Sequence, residues 1–321
     1  MSQISFFPRF MFRCVTFLFL FLSSFLICTF GKNGQLNKVL ALSPQESNYL
    51  IAQSEHFPVI RPTTDDAIEV LNEGLAFIQE GNLTEAIAKF RRAIELDSRQ
   101  AAAYYNLGLA LRQQGELQSA ADAFYQATQI DPEFALAYAN LGAALYEGSN
   151  YVQSREYLEY AIYLQPELGL AHYNLGLVYK DQGFFDEAIT HLTQAQELSP
   201  NAPESSYHLG LIYLQQDNTN QARVAFENAI RISPRYPEAQ YSLGTILLNE
   251  GKTDDALTAF RAAVDANPNY ANGYYGAGLV FMDNGRLDAA LSVLGYAKEL
   301  YSIQGNSQWA NQTDRLIQQI Q

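Results

Sequence analysis

Seven glycines recur along the chain at a constant interval of 34 residues: Gly74, Gly108, Gly142, Gly176, Gly210, Gly244 and Gly278. Other columns keep the same step. Ala86, Ala120, Ala188, Ala222, Ala256 and Ala290 form one, with Ser154 standing in once. Ala93, Ala127, Ala161, Ala195, Ala229, Ala263 and Ala297 form another without a break. A large apolar side chain stands three residues before each alanine of that second series, at Phe90, Phe124, Leu158, Leu192, Phe226, Phe260 and Leu294. Pro132, Pro166, Pro200, Pro234 and Pro268 close five of the units. Large, small and chain-breaking positions kept in phase mark a stacked repeat array, in which each unit buries its apolar face against its neighbours.

Within one unit, residues 101–134, two apolar stretches of helical spacing flank a turn at Gly115. The unit is therefore predicted to be a helical hairpin. Its first helix carries Leu107, Gly108 and Leu111. The glycine lets the neighbouring helix approach closely, at a helix-propensity cost of about 1 kcal/mol relative to alanine. The second helix carries Ala120, Phe124 and Ala127 on one face, so a ring enters the groove between helices while the alanines permit contact. Asp131-Pro132 then stops it.

This pattern of Leu-Gly, a bulky residue, two alanines and a closing proline resembles the tetratricopeptide repeat family. The resemblance covers residues 67–304, seven units of 34, or 238 residues, and 34 is the period of that repeat. It implies an all-α fold, a right-handed superhelical solenoid of helix-turn-helix repeats. The departures are local. Glu73 replaces the leucine before the first glycine, Ser149 and Asp217 replace the turn glycine, and Ser98 and Ser302 replace the terminal proline. Residues 305–321, with Trp309, Ala310, Leu316, Ile317 and Ile320 among Gln, Asn and Asp, read as a C-terminal capping helix in which the tryptophan packs. The domain plan is an N-terminal signal peptide or membrane anchor over 1–31, a linker and lead-in over 32–66, the repeats over 67–304 and the cap over 305–321.

Residues 14–31 are uncharged for 18 positions and dominated by Phe and Leu, with Arg9 and Arg13 before them and Lys32 and Lys38 after. As a helix they would span about 27 Å, against a hydrocarbon core of roughly 30 Å, which lies between a spanning anchor and a signal-peptide core. Three readings follow: an uncleaved anchor, export with cleavage after Val39-Leu40-Ala41, or an organellar transit signal, since no acid precedes Glu46. The charge balance favours a cytoplasmic N-terminus, which places the repeats outside the cytoplasm, in a periplasm or lumen. Both cysteines, Cys14 and Cys28, belong to this segment, so the repeat domain has no thiol chemistry.

From Pro44 onward there are 16 basic and 34 acidic residues, a balance of minus 18 that repels nucleic acid. His56, His172, His191 and His208 show no metal-ligand spacing and read as surface or groove residues. Gly251-Lys252-Thr253 lacks the earlier glycine of a phosphate loop, whose place is taken by Ile246. No nucleophile elbow and no paired-cysteine motif occur. Neither enzyme activity nor a cofactor is expected.

In the resembled family, peptides lie on the concave surface made by the first helices. Two residues before the glycines of this chain stand Asn72, Asn106, Asn140 and Asn174, then His208, Ser242 and Gly276. Three before stand Leu71, Tyr105, Ala139, Tyr173, Tyr207, Tyr241 and Tyr275. An Asn side chain both donates and accepts, so an in-phase row can hold an extended backbone without reading its sequence. The row resembles the asparagine ladder in the repeat domain of the O-linked N-acetylglucosamine transferases. The tyrosines would pack ligand side chains, and Arg112 and Lys180, four residues after their glycines, would meet an acidic group. Repeats that capture chaperone C-terminal tails carry Lys, Arg and Asn on successive first helices; Leu71, Tyr105 or Tyr173 fills the Lys position here, which argues against such tails. The expected function is a membrane-tethered or exported scaffold or assembly factor that binds peptide segments of other proteins. The alternatives are the substrate-recruiting subunit of a glycosyltransferase or protease complex and a photosynthetic-membrane assembly factor.

Overall fold

The computed structural model describes residues 65–321, and among them all regular structure is α-helical. They fall into two compact units. In residues 65–201 four helical hairpins follow one another: α1 (Asp65–Gln79) with α2 (Leu83–Leu96), α3 (Ala101–Gln114) with α4 (Leu117–Ile130), α5 (Ala135–Glu147) with α6 (Tyr151–Leu164), and α7 (Gly169–Gln182) with α8 (Phe185–Leu198). Residues 202–321 hold three more: α9 (Glu204–Gln215) with α10 (Thr219–Ile232), α11 (Pro237–Asn249) with α12 (Thr253–Ala266), and α13 (Ala271–Asp283) with α14 (Leu287–Ile303). The last helix, α15 (Ser307–Ile320), follows them. The apolar segment at 14–31, the cleavage site proposed near Ala41 and the linker up to residue 64 lie outside the described residues. Among the described residues no helix is long and apolar enough to cross a membrane.

The hairpins close because each phased glycine faces the bulky residue 16 positions later. A β-carbon placed on Gly108 would stand 2.7 Å from the Phe124 ring, and one on Gly142 would stand 2.5 Å from Leu158. Phe90, Phe124, Leu158, Leu192, Phe226, Phe260 and Leu294 are in consequence almost wholly sealed from solvent. Burial of each such side chain contributes about 1.5 to 3 kcal/mol, which outweighs the glycine's propensity cost of about 1 kcal/mol. Both alanine columns are buried, and where Ser154 interrupts one its hydroxyl donates to the Gly142 carbonyl at 2.7 Å. The polar group is thus satisfied inside the core.

Turns between paired helices need a residue in the left-handed region. Gly81, Gly115, Gly183, Gly251 and Gly285 supply it, and at the two departures Ser149 (φ 63°) and Asp217 (φ 58°) adopt the same conformation. The side chains of Asn82, Asn150, Asn218 and Asn306 then accept from a backbone N–H three residues on, capping α2, α6, α10 and α15.

Stop signals at the ends of second helices are more redundant than the prolines suggest. Helix α2 ends without one, because the Asp97 carboxylate accepts from the Arg99 N–H at 3.0 Å; Asp131 and Asn267 make the equivalent bond. At the seventh unit both signals are missing, with Tyr301 in the Asp column and Ser302 in place of proline. Helix α14 accordingly runs for 17 residues where its six counterparts run for 14. The extension carries Tyr301 under Trp309 of α15, with ring centroids 5.8 Å apart, while Tyr275 meets the same indole at 5.3 Å. Trp309 is a packing residue, as its sequence setting implied.

Candidate peptide-binding surface

In residues 65–201 the asparagine row divides. Asn72 is exposed on α1. Asn106, Asn140 and Asn174 are 7%, 3% and 4% exposed, and each side-chain amide donates to the carbonyl one turn earlier in its own helix. The acceptors are Ala102 (2.8 Å), Leu136 (3.1 Å) and Leu170 (2.9 Å). Asn140 goes further, donating to the Tyr105 hydroxyl at 3.2 Å and accepting from Arg112 Nη1 at 3.4 Å. An amide has two N–H donors and one acceptor oxygen, so Asn140 is committed to the fold, whereas Asn106 and Asn174 keep one donor and the oxygen for a ligand.

The two cations of the row are also engaged internally. Arg112 pairs with Glu147, through Nη2 at 2.5 Å and Nε at 3.0 Å. Lys180 is buried and ion-paired with Asp181, whose other oxygen accepts from the Tyr146 hydroxyl at 2.6 Å. Burial, then that acceptor, pushes the Tyr146 phenol well above its ordinary value. Tyr105 packs on Phe124 and Phe134, with centroids at 5.8 and 4.9 Å, and Tyr173 is half-buried.

His172, read from sequence as a surface or groove residue, is instead buried. Its Nε2 lies 3.0 Å from the Pro166 carbonyl and its Nδ1 lies 3.0 Å from His191 Nδ1. Tyr179 stacks on His191 at 5.6 Å. The pair joins α7 to α8 across a separation of 19 residues, a spacing that carries no motif.

In residues 202–321 the first helices present tyrosine. Tyr207 packs on Phe226 (5.9 Å) and Tyr236 (5.2 Å), and Tyr241 on Phe260 (5.7 Å) and Tyr270 (6.0 Å). Tyr275 and Tyr241 are buried, while Tyr207, Tyr236 and Tyr270 stay partly open. Among them lies Glu238, in the first turn of α11. Burial holds its carboxyl above the usual carboxylate range, offset in part by its own backbone N–H. Burial also raises the phenols of Tyr207 and Tyr270, and the charge of Glu238 adds to both. Sequence reading found Tyr207, Tyr241 and Tyr275 but missed Glu238 and Tyr270. The available signal was a column that changes character: Leu136 and Leu170 give way to Glu204 and Glu238.

These features define an all-α helical-repeat protein of the kind that serves as a protein-interaction scaffold. Within that class the chain belongs to the tetratricopeptide repeat family. Sequence models of the repeat match residues 74–115, 101–134, 176–217, 210–251 and 241–302, together more than half of the chain. No curated protein matches it in sequence. Among solved structures, a tetratricopeptide repeat protein from Parabacteroides merdae is 17% identical, with a TM-score of 0.60 over 78% of this chain and 99% of that one. The APC/C hetero-tetramer Cut9-Hcn1 matches at 19% identity and a TM-score of 0.61, over 73% of this chain and 46% of that one. Yeast Tom70 matches at 17% identity and 0.55, over 86% and 59%. At these identities the likeness is one of fold.

Proposed function

We propose that this protein is a non-catalytic scaffold or assembly factor that holds extended peptide segments of other proteins along its first helices. The observation that carries this reading is the chemistry that the first helices present in each of the two units. Asn106 and Asn174 retain backbone-like donors and acceptors in residues 65–201, and Tyr207, Tyr236 and Tyr270 stay partly open in residues 202–321. The first set suits a peptide main chain and the second suits side chains, because tyrosine offers large contact area at low entropy cost. Arg112 and Lys180, already ion-paired, contribute structure rather than a receptor for acids. The balance of minus 18 from residue 44 onward supports protein rather than nucleic acid as the partner.

The uncharged run at 14–31 supports attachment to, or export across, a membrane, with the repeats on the extracytoplasmic side. Affinity purification of the full-length protein from native membranes, followed by mass spectrometry, tests both parts. A specific protein partner whose recovery falls when Asn106 and Asn174 are both replaced by Ala is the expected result. Recovery unaffected by those changes moves the binding surface elsewhere. Protease added outside spheroplasts is expected to digest the repeats, and full protection until lysis refutes the topology.

A further inference from the structure

Glu238 is a half-buried carboxylate that, among the described residues, has no ion-pair partner. Its own backbone N–H compensates it only in part. Tyr207 and Tyr236 stand 5.2 Å apart and Tyr241 and Tyr270 stand 6.0 Å apart, contributed by α9, α11 and the segments that precede α11 and α13. The faces of aromatic rings carry negative potential and phenol oxygens are acceptors, so rings and carboxylate together make a region of one electrostatic sign. Removing an unpaired carboxylate from water costs stability unless a cation or several donors replace the solvent. Of the cations of the same unit, Arg223 and Lys252 pair with Glu250, Lys298 with Asp314, and Arg286 lies over the Phe281 ring, while Arg235 and Arg261 are exposed to solvent.

We propose that Glu238, with Tyr207, Tyr236 and Tyr270 around it, is a receptor for a cationic side chain, the ammonium of lysine or the guanidinium of arginine, carried by the bound peptide. The assignment rests on the peptide-binding reading above and narrows it to segments with a basic residue. Each element of the site acts in the same direction. The carboxylate accepts a charge-assisted hydrogen bond and the tyrosine rings attract the cation. Burial on binding strengthens both, since the surroundings lose water. The raised carboxyl of the empty site fits this assignment, because a bound cation would stabilise the charged form.

The test uses the full-length protein and three blocked pentapeptides, Gly-Ser-X-Ser-Gly, with lysine, arginine or uncharged norleucine at X, together with n-butylammonium chloride as a free cation. Binding is read by titration and by the NMR signal of the Glu238 side-chain carboxyl carbon, assigned from its loss in Glu238→Gln. The lysine and arginine peptides are expected to bind at least about tenfold more tightly than the norleucine peptide. Glu238→Gln should abolish that preference and leave norleucine binding unchanged. Since the replacement is isosteric and removes an unpaired charge, it should raise the melting temperature. Tyr236→Leu, which keeps the carboxylate, should weaken only the two cationic peptides. Equal affinity for all three peptides, or a preference that survives Glu238→Gln, overturns the cation site while leaving the peptide surface standing. If n-butylammonium shifts the Glu238 signal and no peptide binds, the cation site holds and the peptide reading falls. If neither cation nor peptide perturbs Glu238, the proposal is wrong.

Discussion

His172 and His191 face each other through their Nδ1 atoms at 3.0 Å. The Pro166 carbonyl can only accept, so His172 Nε2 carries a proton, its Nδ1 accepts, and His191 Nδ1 is the donor between them. Charging both rings would place two like charges in contact. Burial first, and the neighbouring His172 second, lower the His191 pKa below its ordinary 6.5. The unfolded chain therefore binds the proton more readily than the folded one, so this contribution to stability is complete above about pH 6.5 and is lost as pH falls toward the lower folded value. Thermal melts of the parent and His191→Gln between pH 7.5 and 5.5 should show a steeper loss in the parent. Parallel curves would assign the acid sensitivity to other groups.

Opposite signs are expected from one substitution at two glycines. A β-carbon at Gly210 would lie 2.5 Å from the Phe226 ring, whereas Gly295, exposed in α14, has nothing within 4 Å. Gly210→Ala should destabilise by about 1 to 3 kcal/mol of overpacking, reduced by the propensity gain. Gly295→Ala should stabilise by about 0.5 to 1 kcal/mol. Chemical denaturation of the two variants decides the matter, and a stabilising Gly210→Ala would show that the ring has room to move.

At the two turns lacking glycine, the left-handed conformation is held by Ser149 and Asp217. A side chain there costs about 1 to 2 kcal/mol, less for Asp, against the extra unfolded-state entropy of glycine of about 0.5 to 1 kcal/mol. Ser149→Gly should raise the melting temperature more than Asp217→Gly. A loss of stability in both would mean that these side chains hold the turn in some other way.

The asparagine row should separate into fold and ligand. Asn140→Ala removes the bonds to the Tyr105 hydroxyl and to Arg112 and should cost about 1 to 2 kcal/mol of stability. Asn106→Ala and Asn174→Ala lose one intrahelical bond each and should leave the melt nearly unchanged. Together they should weaken peptide binding about tenfold, from roughly 0.5 to 1.5 kcal/mol apiece. Calorimetric titration with the identified partner, beside melts of all three variants, provides the check; equal melts for the three would refute the division.

Much of the fold was written in the period. A glycine 16 residues before a phenylalanine, a left-handed turn and two alanine columns act within one hairpin, where sequence distance and spatial distance agree. The site was legible only in part for the opposite reason. Phase assigned Asn140 and Tyr105 to the first-helix surface, yet it could not show that they would bond to each other across 35 residues, nor that Arg112 would join them. The same holds for His172 and His191, whose positions are occupied by Tyr138 and Tyr157 one unit earlier. Glu238 escaped notice because its setting is assembled from the ends and starts of several helices, where no single interval records the encounter.

The three added residues of α14 change how the chain leaves its second helix. The six earlier second helices end in joints from which the chain turns back into another first helix, closed by a side chain that grips the next backbone at Asp97, Asp131 and Asn267 and by proline at five of the six. With Tyr301 and Ser302 in those places the helix runs past the point of return, and the ring that replaced the stop signal becomes the seat of α15. Punctuation is in this sense local: two adjacent residues convert a joint closed by polar capping or proline into one closed by stacked rings.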